Sequence, residues 1–406
     1  MANKKLVLIS DIHIGNNSPT NWFQGTVHPP FLGKVLEYVR ENTGTIKELI
    51  ILGDLVDQWM YTPTEQPPSL PEIKAANPDI FGGEVNGKTV TGSLIETVDA
   101  LDAAGGKTTY ITGNHDMFIT PEEVSHTISP KIRTNNGYRV YTPDAGEGQI
   151  VCTHGHVFSL FNAQDYKSYP NNFKGLSLAH FISRLGARWT AQELSKKGLK
   201  NAAQLPDTGD PEGWRFDAEA IIGLLESLLD DKDHISELIM NALSEATGKV
   251  DDSFIMTDGC KEMLDTVETL YKPLYNEYPD STKTKDLLLP FGALSPLFAL
   301  IDTDMGNNID HFAKESAELY PLIIMGHTHV PVLHHDEFLF SQKAVYANSG
   351  FWCPSVPDME NKGKYPTFVE VEIENRLLTT SVKQVVKQGN DYVIQPRMGP
   401  VSIAMR

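Results

Sequence analysis

Long apolar runs, paired cysteines and an excess of positive charge are all missing from this sequence of 406 residues. Its apolar runs, such as residues 6–9 and 322–325, are far shorter than the ~18 residues of a membrane span. The three cysteines are odd in number and form no CxxC pair, which argues against a disulfide framework and fits a reducing compartment. No signal-peptide core or cleavage site is recognisable, so we expect a cytoplasmic protein.

Basic residues are scarce relative to acidic ones. The chain has 34 Lys and Arg against 53 Asp and Glu, which gives a formal net charge of −19. This charge repels the phosphate backbone of nucleic acids, so a nucleic-acid partner is not favoured. Hydrophobic residues at 40% and charged residues at 21% are typical of a folded protein, and the length predicts one large domain with an insertion or two domains.

The strand and helix signals divide the chain into three segments. In residues 1–157, apolar runs such as LVLIS, ELIILG, TTYITG and QIVCTHG alternate with helical patterns, which predicts βαβ connections and an α/β fold. A Pro-rich stretch that begins near Thr62 is interpreted as a surface loop. Helical periodicity dominates residues 158–320, for example at 235–246, and strands return in residues 321–406. We therefore predict a two-part core that is split by a helical insertion or cap.

Polar clusters follow five of the predicted strands. Metal ions with oxygen and nitrogen ligands need rigid, converging carboxylates and imidazoles, and the carboxyl ends of strands in an α/β sheet supply that convergence. The clusters are Asp11-Ile12-His13, Gly53-Asp54-Leu55-Val56-Asp57, Gly113-Asn114-His115-Asp116, His154-Gly155-His156 and Gly326-His327-Thr328-His329. Each cluster alone is a weak signal, but five in order, each directly after an apolar run, predict a metal site.

The ordered set D-x-H, G-D-x-x-D, G-N-H-D, H-G-H and G-H-x-H resembles the calcineurin-like metallophosphoesterases. The resemblance covers both core segments and implies a four-layer α/β/β/α sandwich with a two-metal site at one sheet edge. One divalent ion would be held by Asp11, His13, Asp54 and His329. The other would be held by Asp54, Asn114, His154 and His327, with Asp54 bridging the pair. Manganese is the expected metal, and iron and zinc tolerate the same ligands.

The chemistry of two metal ions assigns roles to neighbouring residues. Two divalent ions can hold a bridging hydroxide and clamp a phosphoryl group for in-line attack. We interpret His115 as the general acid to the leaving oxygen, or as a clamp on the phosphate, with Asp116 orienting its ring and raising its pKa. Asp57 would hold a ligand imidazole or the loop, or else lie in a solvated turn.

Three further residues are weaker candidates for substrate contact. His156 would line the substrate site or serve a structural role. Arg184 and Arg188 are spaced i, i+4 on a predicted helix of the insertion, where they would bind a substrate phosphate or lie on a solvated face. The insertion itself would cover the cleft as a lid, or form a peripheral domain used for oligomer contacts.

Finer features bear on the substrate. The segments GDLVDQW and NSGFW are similar to the branch that contains the UDP-2,3-diacylglucosamine pyrophosphatases, whose closest members have Arg in place of His115 and a much shorter lid. We therefore expect a two-metal hydrolase of phosphoester or pyrophosphate bonds, with small or lipid-linked phosphodiesters and pyrophosphates favoured. The alternatives are a nuclease or a phosphomonoesterase with the same core, or a non-catalytic scaffold, which would be expected to have lost ligands.

Overall fold

A computed structural model of the chain describes residues 4–62, 65–85, 87–135, 141–156, 162, 178–204, 319–329, 331–335, 344–350 and 365–406. The chain forms two compact units. Unit 1 comprises Met1–Gln58, Pro68–Gly155 and Asp310–Arg406, and unit 2 comprises Trp59–Pro67 and His156–Ile309. The predicted boundaries at 157/158 and 320/321 stay predictions, and the predicted helix at 235–246 lies outside the described residues.

Unit 1 has the predicted mixed α/β architecture, with two main sheets. Its strands are β1 (Lys4–Ile9), β2 (Ile46–Leu52), β3 (Glu84–Val85), β4 (Lys88–Thr89), β5 (Lys107–Ile111), β6 (Ile132–Asn135), β7 (Ile150–Thr153), β8 (Leu322–Met325), β9 (Pro331–His334), β10 (Val345–Ser349), β11 (Thr367–Glu374), β12 (Leu377–Gln388) and β13 (Asp391–Ala404). The larger sheet has the order β13-β12-β11-β1-β2-β5-β6, and the smaller one has the order β7-β8-β10-β9. Strands β1, β2, β5 and β6 run parallel, as do β7, β8 and β10.

The two sheets share one hydrophobic core. Alternate residues of the larger sheet, such as Leu8 and Ile50, pack with Cys152, Ile324 and Ala347 of the smaller sheet, and all five are fully buried. Burying an aliphatic side chain of this size contributes ~1.5–3 kcal/mol, so this interface holds the strands in register. The carboxyl ends of β1, β2, β5, β7 and β8 are thereby fixed relative to one another.

Helices cover the outer face of the larger sheet. The helices of unit 1 are α1 (Pro29–Glu41), α2 (Leu70–Ala76), α3 (Pro78–Phe81), α4 (Leu94–Ala103) and α5 (Pro121–Thr127). Helices α1 and α4 pack against each other and against the sheet, which is why β1 is buried on both faces and reads as a continuous apolar run. Glu370 in β11 lies on this covered face, where it accepts hydrogen bonds from Tyr38 and Lys383 instead of facing water. The fourth layer of the predicted sandwich falls outside the described residues.

The Pro-rich stretch that begins near Thr62 is predicted to be a surface loop. This prediction is wrong in part, because the stretch contains two short helices. Residues 70–76 and 78–81 are the short helices α2 and α3, and their apolar side chains Leu70, Ile73 and Phe81 are buried. A proline lies in the first turn of each helix, Pro71 as the second residue of α2 and Pro78 as the first residue of α3, where its missing N–H is not needed. Ser69 and Glu72 form a capping box. The prolines therefore start helices here.

Unit 2 is described over a shorter part of its length. The longest element among its described residues is α6 (Leu178–Lys197), a helix of 20 residues. Within the described parts of both units, no helix is both long enough and apolar enough to cross a lipid bilayer.

Candidate metal centre

The predicted ligands follow β1, β2, β5, β7 and β8, and the backbone ties their loops together. The N–H of Asp11 donates to the carbonyl of Gly53 (3.1 Å), and that of His13 donates to the carbonyl of Asp54 (2.9 Å). The N–H of His327 lies 3.0 Å from both carboxylate oxygens of Asp11. Every predicted ligand is at most 5% exposed: Asp11, His13, Asp54, Asn114, His154, His327 and His329. Five loops distant in sequence thus form one buried polar site.

Asp11, His13 and His329 form the first ligand cluster, in which one ligand atom from each lies within 4.8 Å of the others. The Nε2 atoms of His13 and His329 are 3.1 Å apart, and Nε2 of His329 is 3.5 Å from Oδ1 of Asp11. The Ser10 hydroxyl donates to Asp11 and also meets the hydroxyl of Ser349, which fixes the carboxylate. Two imidazole nitrogens and a carboxylate at this spacing suit a divalent transition-metal ion.

Asp54, His154 and His327 form the second ligand cluster, with the same 4.8 Å limit. Nδ1 of His154 lies 2.8 Å from the carbonyl oxygen of Leu52, and because a carbonyl only accepts, Nδ1 carries the proton. Nε2 of His154 then faces Asp54 Oδ2 at 3.2 Å and Asn114 Oδ1 at 3.1 Å. Electron pairs that converge in this way repel each other unless a proton or a cation lies among them.

Asp54 lies between the two clusters. Its Oδ1 accepts a hydrogen bond from the N–H of His115 (2.8 Å). Its Oδ2 is buried and receives no hydrogen bond from any residue that the structure describes, although Nε2 of His154 is 3.2 Å away and that of His13 is 3.8 Å away. A buried carboxylate oxygen without a hydrogen bond is costly, and a bound cation removes that cost. The residues present therefore fit a metal pair that shares Asp54.

Among the buried carboxylates of the site, Asp54 and Asp11 differ in their affinity for protons. Burial raises the pKa of Asp54, but the neighbouring imidazoles, His154 first, lower it by more, so it lies well below its usual range. Burial and the charge of Asp54 raise the pKa of Asp11 to about 7, against the lowering effect of His154. Burial lowers the pKa of His154, yet the charges of Asp54 and Asp11 raise it to about 9, so without a cation a second proton would lie between Nε2 of His154 and Asp54. Negative charge thus concentrates at Asp54 and attracts protons or cations to it.

Asp57 lies between two imidazoles and is not a solvated turn residue. Its Oδ2 is 3.2 Å from Nδ1 of His13, and its Oδ1 is 3.1 Å from Nδ1 of His115. Burial lowers the pKa of His115, but the charges of Asp57 and Asp54 raise it above its usual value, and the same pairing holds the pKa of Asp57 low. A carboxylate at Nδ1 orients the ring and leaves Nε2 for proton transfer.

Asp116 does not orient the ring of His115, and that part of the prediction is wrong. One oxygen of Asp116 accepts from the Tyr110 hydroxyl and from the N–H of Leu55 (2.8 Å), and the other accepts from the N–H of Gly113 (2.6 Å). Because the carboxylate bonds back to the turn that carries it, it faces away from the neighbouring ring. Asp116 instead joins the β2 and β5 loops.

The ligand side chains are carried on a backbone of rare conformation. Five of the seven predicted ligands have positive φ: Asp11 (55°), His13 (57°), Asp54 (53°), His327 (70°) and His329 (57°). A residue with a Cβ atom loses ~1–2 kcal/mol in the left-handed region. Such strain clusters at functional sites, where the surrounding structure imposes it.

Gly113 provides the space in which the ligands meet. A Cβ atom at this position would lie 2.2 Å from Oδ1 of Asp54 and 2.7 Å from Nε2 of His154. Any side chain here would displace both ligands. The glycine of the GNHD segment therefore serves close approach.

The weaker candidates lie in unit 2. His156 is buried there. Nη2 of Arg184 donates to the carbonyl oxygens of Thr62 (2.9 Å) and Glu65 (2.5 Å), so the guanidinium joins α6 to the segment 59–67. The side chain of Arg188 lies outside what the structure describes. A substrate role for His156, Arg184 and Arg188 stays a prediction.

One aromatic residue at the site was not predicted. The ring of Trp22 lies beside the rings of His13, His115 and His329, with centroid distances of 4.9, 5.4 and 5.8 Å. The segment around Trp22 carries no recognisable motif, and only the loop fold places the ring here. No sequence signal would have found it.

Comparisons with known proteins give a family and two remote structures. A family model described as calcineurin-like phosphoesterase matches residues 4–225, more than half of the chain. A conserved protein of Streptococcus pneumoniae, described as a predicted phosphoesterase, is 10% identical, with a TM-score of 0.28 and coverage of 98% of this chain and 99% of that one. Vacuolar Protein Sorting 29 of Cryptosporidium parvum is 9% identical, with a TM-score of 0.32 and full coverage of both chains. No curated protein sequence matches the chain.

Proposed function

Because this chain belongs to the calcineurin-like phosphoesterase family, a family of metal-dependent phosphoester hydrolases, we propose that it cleaves phosphodiester or pyrophosphate bonds with two divalent metal ions. The observation that carries the proposal is Asp54 Oδ2, a buried carboxylate oxygen without a hydrogen bond among the described residues, set between two clusters of imidazoles and a carboxylate. The proposed ligands are Asp11, His13, Asp54 and His329 for one ion, and Asp54, Asn114, His154 and His327 for the other.

The ligand atoms of the site limit which metal ions it would bind. It combines imidazole nitrogens with carboxylate and amide oxygens and contains no thiolate, so manganese, iron and zinc all suit it, and we propose manganese. When bound, the ions supply Lewis-acid activation of water and neutralise charge on the phosphoryl group. The protein holds the donors in place through the loops of five strands, and Asn114 adds an oxygen without adding charge.

His115 is the proposed general acid. Its Nδ1 pairs with Asp57, and the two carboxylates near it favour the protonated ring, so Nε2 holds a proton for the leaving oxygen. Asp57 also contacts His13, so one carboxylate orients both the proton donor and a proposed metal ligand. Asp116 would support the site indirectly, because its carboxylate joins the loops that carry Asp54 and His115.

The proposed substrates are small or lipid-linked phosphodiesters and pyrophosphates. Support comes from the likeness of GDLVDQW and NSGFW to the pyrophosphatase branch and from the net charge of −19, which opposes binding to a nucleic-acid strand. Residues 158–320 form the proposed cap over the non-reacting part of the substrate, with His156, Arg184 and Arg188 as candidate contacts. Among these, Arg184 already uses one nitrogen on backbone carbonyls.

The experiment is a comparison of substrates with and without manganese. Bis-p-nitrophenyl phosphate and a UDP-sugar pyrophosphate should be hydrolysed with a higher kcat/KM than p-nitrophenyl phosphate, and chelation should abolish all three reactions. The Asp54→Asn protein is the matched control for contaminating hydrolases. A preference for the monoester would make the protein a phosphomonoesterase, and a preference for single-stranded DNA or RNA would make it a nuclease. A metal-loaded protein that turns over none of them would be a scaffold.

A further inference from the structure

A tryptophan lies against the proposed general acid. The ring of Trp22 is tilted by 40° to that of His115, with the centroids 5.4 Å apart, and it meets His13 edge to face at 4.9 Å. His13 in turn meets His115 edge to face at 4.5 Å, with an interplanar angle of 89°. Trp22 is 4% exposed and His115 is 3% exposed, so these rings exclude water from one another. Aromatic pairs in such geometry contribute ~0.5–1.5 kcal/mol beyond the burial of their area.

The loop that carries Trp22 is fixed by hydrogen bonds of side-chain amides. The side-chain amide of Asn77, at the end of α2, donates to the carbonyl of Gly15 (2.6 Å), and that of Asn17 donates to the carbonyl of Ala76 (2.8 Å). Inside the loop, the N–H of Ser18 donates to Oδ1 of Asn21 (2.9 Å). The position of the Trp22 ring is therefore set by the hydrogen bonds of its loop.

We propose that Trp22 is a positioning residue for His115, an inference that rests on the proposed phosphoester hydrolysis. The hydrogen bond to Asp57 fixes one edge of the His115 ring but leaves the ring able to rock about that contact. The rings of Trp22 and His13 occupy the space into which it would rock. Trp22 thus keeps Nε2 of His115 directed at the leaving oxygen without touching the substrate. A displacement of a catalytic group by ~1 Å costs roughly 100-fold in rate.

Phe23 offers a matched control. It is the next residue in the same loop and is 1% exposed, but its ring packs against His28, with the centroids 5.0 Å apart, and not against an imidazole of the site. Replacing Phe23 by leucine removes a buried ring from the loop, as Trp22→Leu does. Effects shared by the two variants come from lost packing, and effects of Trp22→Leu alone come from its contacts with the imidazoles of the site. Metal content separates an effect through His13 and His329 from one through His115.

The test measures metal content, kinetics and the conformation of His115 in the wild type and in the Trp22→Leu, Trp22→Phe and Phe23→Leu proteins. With manganese, Trp22→Leu should lower kcat for diphenyl phosphate, whose leaving group is poor, by roughly 10- to 100-fold. For bis-p-nitrophenyl phosphate, whose leaving group needs little protonation, kcat should fall less than about threefold, and KM and metal content should stay the same. The loss of kcat in Trp22→Phe should lie between that of the wild type and that of Trp22→Leu. If Trp22→Leu does not fold, Trp22→Phe serves as the test.

Crystal structures of the metal-free variants provide a readout that is independent of activity. The His115 ring should leave its contact with Asp57, or take more than one rotamer, in Trp22→Leu and keep one position in Phe23→Leu. Equal kinetic losses for both esters, or an unmoved His115 ring, would overturn the proposal. If the wild type hydrolyses neither ester with any of the metals, the proposed function fails, and the position of His115 still decides whether Trp22 holds the ring.

Discussion

The apolar part of a strand and the residues at its carboxyl end are equally buried, but their burial has opposite effects on stability. In β2, Ile50 and Leu52 pack into the core between the sheets, where burial itself stabilises the fold. Two residues further on, Asp54 is just as buried but has an oxygen without a hydrogen bond among the described residues and a left-handed backbone. Burial is therefore not a measure of stabilisation. The strand middles provide the rigidity that holds the strained, charged ends in place.

The strongest test of this contrast is Asp54→Asn. The substitution keeps the shape and removes the charge that concentrates cations between the clusters, so hydrolysis should fall by at least roughly 10³-fold. Metal analysis should show most of the bound ions lost, while circular dichroism shows the fold retained. Two ions per chain with normal turnover would contradict the assignment of Asp54 to both metals.

The second test is His115→Ala. We expect both metals to remain and kcat to fall by roughly 10²–10⁴, the usual cost of losing a general acid. The loss should be smaller for nitrophenolate than for phenolate leaving groups. Asp57→Asn should alter this leaving-group dependence in the same direction, whereas Asp116→Asn should not, because Asp57 is hydrogen-bonded to the ring and Asp116 bonds to the N–H of Gly113. Equal losses for good and poor leaving groups would leave His115 only a role in phosphate binding.

The strand middles are tested by Ile324→Ala. Removing this fully buried side chain between the sheets should lower the free energy of unfolding by ~2–5 kcal/mol, measured in urea. Metal content per chain and KM should match the wild type at a temperature where the variant is folded. A loss of metal from the folded variant would show that the core and the site are not separable.

The smallest expected effect concerns a buried imidazole outside the metal centre. Burial lowers the pKa of His28 from its usual value of ~6.5 to about 4, against the raising effect of a backbone hydrogen bond with Gln24. Between these two pH values the unfolded chain binds more protons at this residue than the folded one, so stability falls as the pH falls. The loss from this residue should reach ~3 kcal/mol at pH 4. His28→Gln should therefore show a shallower decline of unfolding free energy between pH 6.5 and 4, and an identical decline would contradict it.

The strands and the five polar clusters were predictable because they depend on local signals. Apolar runs that end in Gly or Asp, as at Gly53-Asp54, mark where a buried strand stops, and parallel strands bring such ends together. The α/β fold follows from the same pattern. The family follows from the order of the clusters, which the match over residues 4–225 confirms.

The contacts within the site were not predictable in the same way. Asp116 is next to His115 in the sequence, whereas Asp57 is close to Asp54. Only the paths of the two loops bring Asp57 to the ring of His115 and turn Asp116 toward the N–H of Gly113. The position of Trp22 depends on the side-chain amide of Asn77 at the end of α2, a segment that the sequence analysis interprets as a loop. The prolines of this stretch are interpreted there as a sign of a loop, but proline is also common in the first turn of a helix.

The left-handed backbone at five of the seven proposed ligands has a consequence for the history of such a chain. Glycine tolerates that conformation better than histidine or aspartate does, so random drift toward glycine would relieve ~1 kcal/mol at each position. Selection for thermal stability alone would thus replace the proposed ligands first. The resulting protein would have a more stable fold without the proposed hydrolase activity. Only continued demand for turnover keeps a histidine at positions such as His327 and His329. Engineers who evolve this protein for heat resistance should therefore screen for activity at every round.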